Sequence, residues 1–374
     1  MNTVLGEGIL RPPDVEIPMS VQAPLVDTTC KPSDVFTGQP NPSPPLLYQA
    51  FMFSHEMDIL EARLYEGMGI VDKYFIGESG FTHRGHVKRR FLGESLQKGG
   101  RFERFSSQIV LFNLDDPEQC PEYVSATQKQ RDNFQKRPQM IWDTQNEASN
   151  CMAIKVQEYL KKQPTNSDNA LLQVSDLDEI IFRDVLSQIK HCEFRSTVSW
   201  PIQLSTTHAL AAKFCRYFEE TEIPRYLFRA TEWKGERFGH HVNQKKASAL
   251  KGGIHLTYHG GSLVEFFKSS NHAEGGGLNS LGWLNTTYNP TVCDATRDDW
   301  YRREHLLCHD KDTVLTPWIP KSPPRKEQPA VTMDDFKAKQ PDLLLWILAR
   351  YPERYPCLFD NVKACTDTYI DYML

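Results

Sequence analysis

Ser175-Asp176-Leu177-Asp178-Glu179 is the stretch of this chain whose residue types and spacing are most suited to chemistry. Read as an extended segment, it turns Asp176 and Asp178 to one side and offers hard oxygen ligands to a divalent cation that also holds substrate phosphates. Helix capping by Asp176 or Asp178 is the plainer use of the same residues. A third use is covalent, with Asp176 as the nucleophile and Asp178 as the acid/base of a magnesium-dependent phosphatase. That chemistry needs a further acidic pair downstream, for which Asp298-Asp299 and Asp334-Asp335 are available.

Other candidates are more dispersed. His255 stands beside Gly252-Gly253 and is the better ligand candidate of the two histidines spaced four apart, His255 and His259, because a strand running into a turn does not put both on one face. His305 and His309 share a helical spacing, but Leu306 replaces the glutamate that a zinc hydrolase needs as base, so the pair reads as structural. Gly260-Gly261 before a helix-like stretch can present backbone N–H groups to an anion, with Lys268 adding a charge; a glycine turn and a surface lysine is the alternative.

The elements that must position these groups alternate. Leu46 to Phe53 (LLYQAFMF) is short, apolar and aromatic, as a buried strand is, and Met57, Leu60, Leu64 and Met68 come next at helical spacing. Residues 71–78 (VDKYFIGE) and 107–114 (SQIVLFNL) read as two more strands with a basic helical stretch between them. A helix over residues 142–162 then leads to a fourth buried strand, 169–174 (NALLQV), and the acidic block stands at its carboxyl end. Such alternation predicts βαβ units and a largely parallel sheet, in which ligands bind at the carboxyl ends of the strands. Glu56 and Glu78 end the first two strands, so they face the same crevice; a helix cap and salt bridge among Glu56, Asp58 and Arg63 is the competing reading.

Beyond that core, residues 196–250 are rich in aromatics and threonine and contain Pro201 and Pro224, which predicts short mixed strands and loops. Gly252 to Tyr258 reads as a strand and residues 262–270 as the helix after it. The expected organisation is a proline-rich arm (1–45), a catalytic domain (46–316), a proline-rich linker (317–332) and a C-terminal helical extension (333–374).

Composition narrows the function. A formal net charge of −5 with no basic stripe argues against a nucleic-acid partner. The longest apolar run, LLLWILA at residues 343–349, is far short of a membrane span, and no signal peptide is visible, so no membrane insertion is expected. Nine cysteines with no C-x-x-C pair argue against a zinc ribbon or a disulfide scaffold.

Three blocks together are similar to the family 17 glycosyltransferases, the β-1,4-mannosyl-glycoprotein 4-β-N-acetylglucosaminyltransferases that add bisecting GlcNAc to N-glycans. His55-Glu56-Met57-Asp58-Ile59-Leu60-Glu61-Ala62-Arg63-Leu64 with residues 71–79, continued by Thr82, Gly85 and Lys88, resembles the family's opening N-E-x-D-L-L-x-x-R and V-D-x-F-V-x-x-E-S runs. VSDLDEI at 174–180 resembles its acidic block, and GIHLTY at 253–258 with KSSNHAE at 268–274 resembles the G-W-H-x-S-x block and the run after it. Ser175 stands where an acidic residue is common, Ile254 replaces tryptophan and His55 replaces asparagine.

The resemblance implies a GT-A-like α/β fold with a Rossmann-type sheet and flanking helices. It also implies an inverting transferase that uses UDP-GlcNAc, with a glycan or glycoprotein as acceptor and a divalent cation, Mn²⁺, on the diphosphate. Asp176, Asp178 and His255 would hold the cation. Glu56, Glu78, Lys88 and Lys268 would bind donor, and Glu179 is the carboxylate nearest to serve as base beside Asp176 and Asp178. The family's usual compartment is the Golgi or another secretory lumen, whereas the absent leader favours the cytoplasm. A non-enzymatic carbohydrate-binding protein stays beside the phosphatase as an alternative.

Overall fold

The computed structural model describes residues 16–26, 28–54, 56–81, 90–133, 141–163, 169–212, 215–234, 248–257, 345–351 and 354–355, with the backbone alone for 130–133, 141–142, 207–224 and 257. Its strands in chain order are β1 (Phe36–Pro40), β2 (Leu46–Phe53), β3 (Lys73–Glu78), β4 (Ile109–Asn113), β5 (Ala170–Val174), β6 (Glu179–Ile181), β7 (Cys192–Phe194), β8 (Ile202–Ala212), β9 (Cys215–Arg229) and β10 (Ala249–Thr257). The helices are α1 (Met57–Glu66), α2 (Leu92–Ser95), α3 (Pro121–Asn133), α4 (Ile141–Lys161), α5 (Arg183–His191) and α6 (Trp346–Arg350).

Eight strands form one mixed sheet in the order β4-β3-β2-β5-β9-β8-β10-β6. Its first four are mutually parallel, and β2 lies between β3 and β5. The chain therefore winds outward from β2 to β3 and β4 and then returns to the other side of β2, which puts the switch point of the α/β sheet between β2 and β5. This is the expected α/β class with a Rossmann-type sheet and flanking helices.

The period of two in β2 builds both faces of the core. Leu47, Phe51 and Phe53 join α1 and α5 in one apolar cluster, while Tyr48 and Ala50 join α4 in the other. All ten residues of α1 are buried, including Asp58, Glu61, Arg63 and Glu66. A helix enclosed on every side must satisfy its charges internally, so each of these four side chains needs a partner from another element.

The fold departs from the sequence-based expectation in three places. Residues 196–250 carry long strands rather than short pieces: β8 and β9 pair antiparallel, and β10 runs parallel to β8. Pro224 is tolerated because β5 stops pairing at Tyr226, so no ladder donor is needed at residue 224 on that side. The cysteines do pair, Cys30 with Cys192 and Cys120 with Cys151, across separations of 162 and 31 residues that carry no local signature. Finally, part of the N-terminal arm packs on the domain: β1 pairs with β7, and Ile17, Val21, Val35 and Phe36 enter the core beside α1.

The expected helix at 262–270, the linker prolines, His259, Gly260-Gly261, the pair His305 and His309, Asp298-Asp299 and Asp334-Asp335 lie outside the described residues. No helix among the described residues is long and apolar enough to cross a membrane.

Candidate metal and donor site

β5 ends at Val174, and the chain then makes a turn, closed by the Glu179 N–H donating to the Asp176 carbonyl at 3.2 Å, before β6 begins. A turn does not keep the alternation of an extended strand. Asp176 and Asp178 consequently diverge: Asp178 is buried, whereas Asp176 is only half-buried. The Asp176 N–H donates to Glu179 Oε2 at 2.7 Å, which tightens the same turn.

β6 and β10 are antiparallel neighbours, and Glu179 sits directly opposite His255. The Leu256 N–H donates to the Asp178 carbonyl at 2.7 Å, so the ladder extends one residue into the turn. Gly252 and Gly253 permit this approach. Gly252 has φ of 139°, a backbone that favours glycine, and a Cβ on Gly253 would lie 2.8 Å from the Ile180 carbonyl oxygen.

Asp178, Glu179 and His255 bring one ligand atom each to within 4.8 Å of one another, the one such group of acidic, histidine or cysteine residues among the described residues. His255 Nε2 stands 3.5 Å from Asp178 Oδ2 and 3.8 Å from Glu179 Oε1. The expected metal set of Asp176, Asp178 and His255 is thus rearranged: Asp178 and His255 meet, Glu179 joins them and Asp176 stands outside, because the block turns instead of running extended. Glu179 is fully buried and holds the guanidinium of Arg225, from β9, on its two oxygens. A carboxylate enclosed in this way is a counter-charge; as the base that meets an acceptor hydroxyl it is poorly placed.

Behind the turn lies Arg63, 1% exposed on α1. Its Nε donates to Gln49 Oε1 of β2 at 2.9 Å, one terminal nitrogen donates to the carbonyls of Asp176 (2.6 Å) and Leu177 (3.1 Å), and the other donates to Ser175 Oγ (2.7 Å). Gln49 in turn donates to Gln173 Oε1 of β5 at 2.6 Å, and Phe51 covers the guanidinium at 4.1 Å. Burial pulls the Arg63 pKa down to about 9. The competing reading, a salt bridge from Arg63 to Glu56 and Asp58, is not what forms: these contacts take its place.

Glu78 is the last residue of β3, whereas β2 stops at Phe53 and Glu56 follows it by three residues; both glutamates are buried. Glu78 Oε1 accepts from the N–H groups of Phe91 (2.6 Å) and Leu92 (3.1 Å), so it caps the first turn of α2. Glu56 is the residue before α1, and its side chain makes no capping hydrogen bond there. Lys88 and Lys268 lie outside the described residues. Sequence reasoning missed Arg225 and the seat of Arg63; α1 also carries Asp58, Glu61 and Glu66, so nothing local marks Arg63 as the charge that turns away from its helix neighbours.

An open α/β sheet with carboxylates and an imidazole gathered beside its switch point is the arrangement of a ligand-binding α/β enzyme. The chain belongs to glycosyltransferase family 17, whose sequence profile matches residues 22–210, just over half of its 374 residues. It is a glycosyltransferase, and the matched span includes β2, α1, Arg63 and the whole acidic block. The phosphatase and binding-module alternatives are set aside on that ground. No curated protein sequence matches the chain.

Proposed function

We propose that the protein transfers N-acetylglucosamine from UDP-GlcNAc to a mannose of an N-glycan, with inversion and with a divalent cation, Mn²⁺, at the acidic turn. One observation carries the reading: Asp178, Glu179 and His255 converge beside the carboxyl ends of the parallel strands. Carboxylate oxygens suit Mn²⁺, and the imidazole adds a nitrogen ligand of the kind that divalent transition metals accept. Asp178 and His255 would hold the ion directly, and Glu179 would stand behind them, bridging to Arg225. When bound, the cation neutralises the charge that gathers on the departing diphosphate.

Inversion at an α-linked donor requires a carboxylate to take the proton of the acceptor hydroxyl on the face opposite the leaving group. Asp176 is the half-exposed carboxylate of the block and is our choice for that role, since Glu179 is enclosed by Arg225. The catalytic unit would run over residues 46–316, with residues 16–40 laced to it through β1 and Cys30–Cys192. Two disulfides support a secretory lumen as its compartment, where thiols oxidise.

Thermal unfolding with UDP or UDP-GlcNAc, each with and without Mn²⁺, tests this site. A ligand that binds only the folded chain raises the midpoint, by about 2.7 kcal/mol of stability at one hundred times its Kd. The expected rise needs nucleotide and metal together and disappears in Asp178→Asn, whose own midpoint stays near that of the parent. A nucleotide shift indifferent to Mn²⁺ would remove the metal, and no shift at millimolar ligand would remove the donor assignment.

A further inference from the structure

We infer that Arg63 is a positioning residue for this site: it holds the turn at residues 175–177 in the geometry that brings Asp178 to His255. The inference rests on the metal-dependent reading above and extends it to a residue on a different element. Arg63 sits on α1, yet its guanidinium grips the turn by two consecutive carbonyls, those of Asp176 and Leu177, and by Ser175 Oγ. The second of those peptides leads directly into Asp178. Through Gln49 and Gln173 the same guanidinium is referenced to β2 and β5, the two strands on either side of the switch point.

A buried arginine that serves stability alone is expected on a carboxylate, because an ion taken out of water without a partner costs several kcal/mol. Arg101 meets that expectation with Asp58 and Glu61. Arg63 forms no ion pair with a carboxylate among the described residues; its guanidinium donates instead to carbonyl, amide and hydroxyl oxygens of the turn and of β2. Its charge nonetheless lies behind Asp176 and Asp178 and attracts both, which offsets part of the negative charge that the turn gathers. A lysine could not replace it, since one ammonium cannot span the fork that reaches four acceptors.

The test compares Arg63→Lys with Arg101→Lys in the full chain. Mn²⁺ affinity is read by titration, and the imidazole NMR signals of His255 are read in metal-free protein. Arg63→Lys is expected to weaken Mn²⁺ binding about 10- to 100-fold, the range for residues that orient metal ligands, and to displace the His255 signals. Arg101→Lys is expected to lower the unfolding midpoint and to leave both readouts unchanged. A folded Arg63→Lys with parental Mn²⁺ affinity and parental His255 signals overturns the inference. Should Arg63→Lys fail to fold, Ser175→Ala removes a single acceptor of the fork; a several-fold loss of affinity supports the inference and none overturns it. If the parent itself takes up no Mn²⁺, the metal reading falls, and the His255 signals alone decide for or against Arg63.

Discussion

Two groups of buried charge meet on α1 and are balanced in opposite ways. On one side Asp58 and Glu61 face Arg101 and Arg354: Arg101 donates to both carboxylates at 2.6 Å, and Arg354 grips both oxygens of Glu61 at 2.8 and 2.6 Å. Two anions meet two cations there, and every charge is consumed. On the other side Arg63 binds neutral oxygens, and the carboxylate of Asp178 faces an imidazole. The first group is arranged to hold the fold, whereas the second stands at the proposed metal site.

Removing Glu61 should separate the two most sharply. Burial alone would raise its pKa, but Arg101 and Arg354 outweigh that and hold it below the ordinary carboxylate range. Its contribution to stability is therefore present above the pKa of the unfolded chain and is lost as pH falls through the folded value. Glu61→Ala, which strips Arg354 of its carboxylate and Arg101 of one of two, should cost about 3–5 kcal/mol in denaturant unfolding at neutral pH. Mn²⁺ affinity of the folded fraction should not change; a parallel loss of both would mean that the two groups are one.

Glu66, at the end of the same helix, titrates in the other sense. Burial pushes its pKa up to about 7, against an unfolded value near 4.5; the Arg183 N–H, donating at 2.8 Å, and the Arg183 charge oppose that rise without cancelling it, the guanidinium itself donating to the carbonyls of Glu66 and Met68. The folded state keeps this proton after the unfolded state has released it, so stability falls as pH rises between those values, by about 3 kcal/mol in all. Unfolding free energies measured across that window should lose this slope in Glu66→Gln. An unchanged slope would show that Glu66 is ionised in the fold.

The smallest expected effect lies in the strand that delivers His255. Gly252→Ala forces a side chain onto a φ of 139° and into Val185, and should cost about 1–2 kcal/mol while weakening Mn²⁺ binding several-fold. A stability loss with full metal affinity would show that β10 need not be seated against β6 for the site to form.

The parallel half of the sheet was legible because each strand is a short apolar run succeeded by helical spacing; Leu46–Phe53 has the same bounds in sequence and structure. The hairpin of β8 and β9 was not, since Thr, aromatics and Pro224 mask a long alternation that neighbouring strands complete. The acidic block was found at the correct strand end, but which of its members meet His255 depends on the hydrogen bond from Glu179 to Asp176 that bends it. Arg225 and Arg354 lie 46 and 293 residues from their carboxylates, and both cysteine pairs are also nonlocal, so short-range patterns held no trace of them.

The separation of 293 residues between Glu61 and Arg354 also bears on biosynthesis. During translation α1 emerges long before Arg354, the last cation needed to neutralise it. Until then α1 carries a surplus of negative charge that cannot be sealed into the core, so α1 should become resistant to protease only after residue 354 has been made.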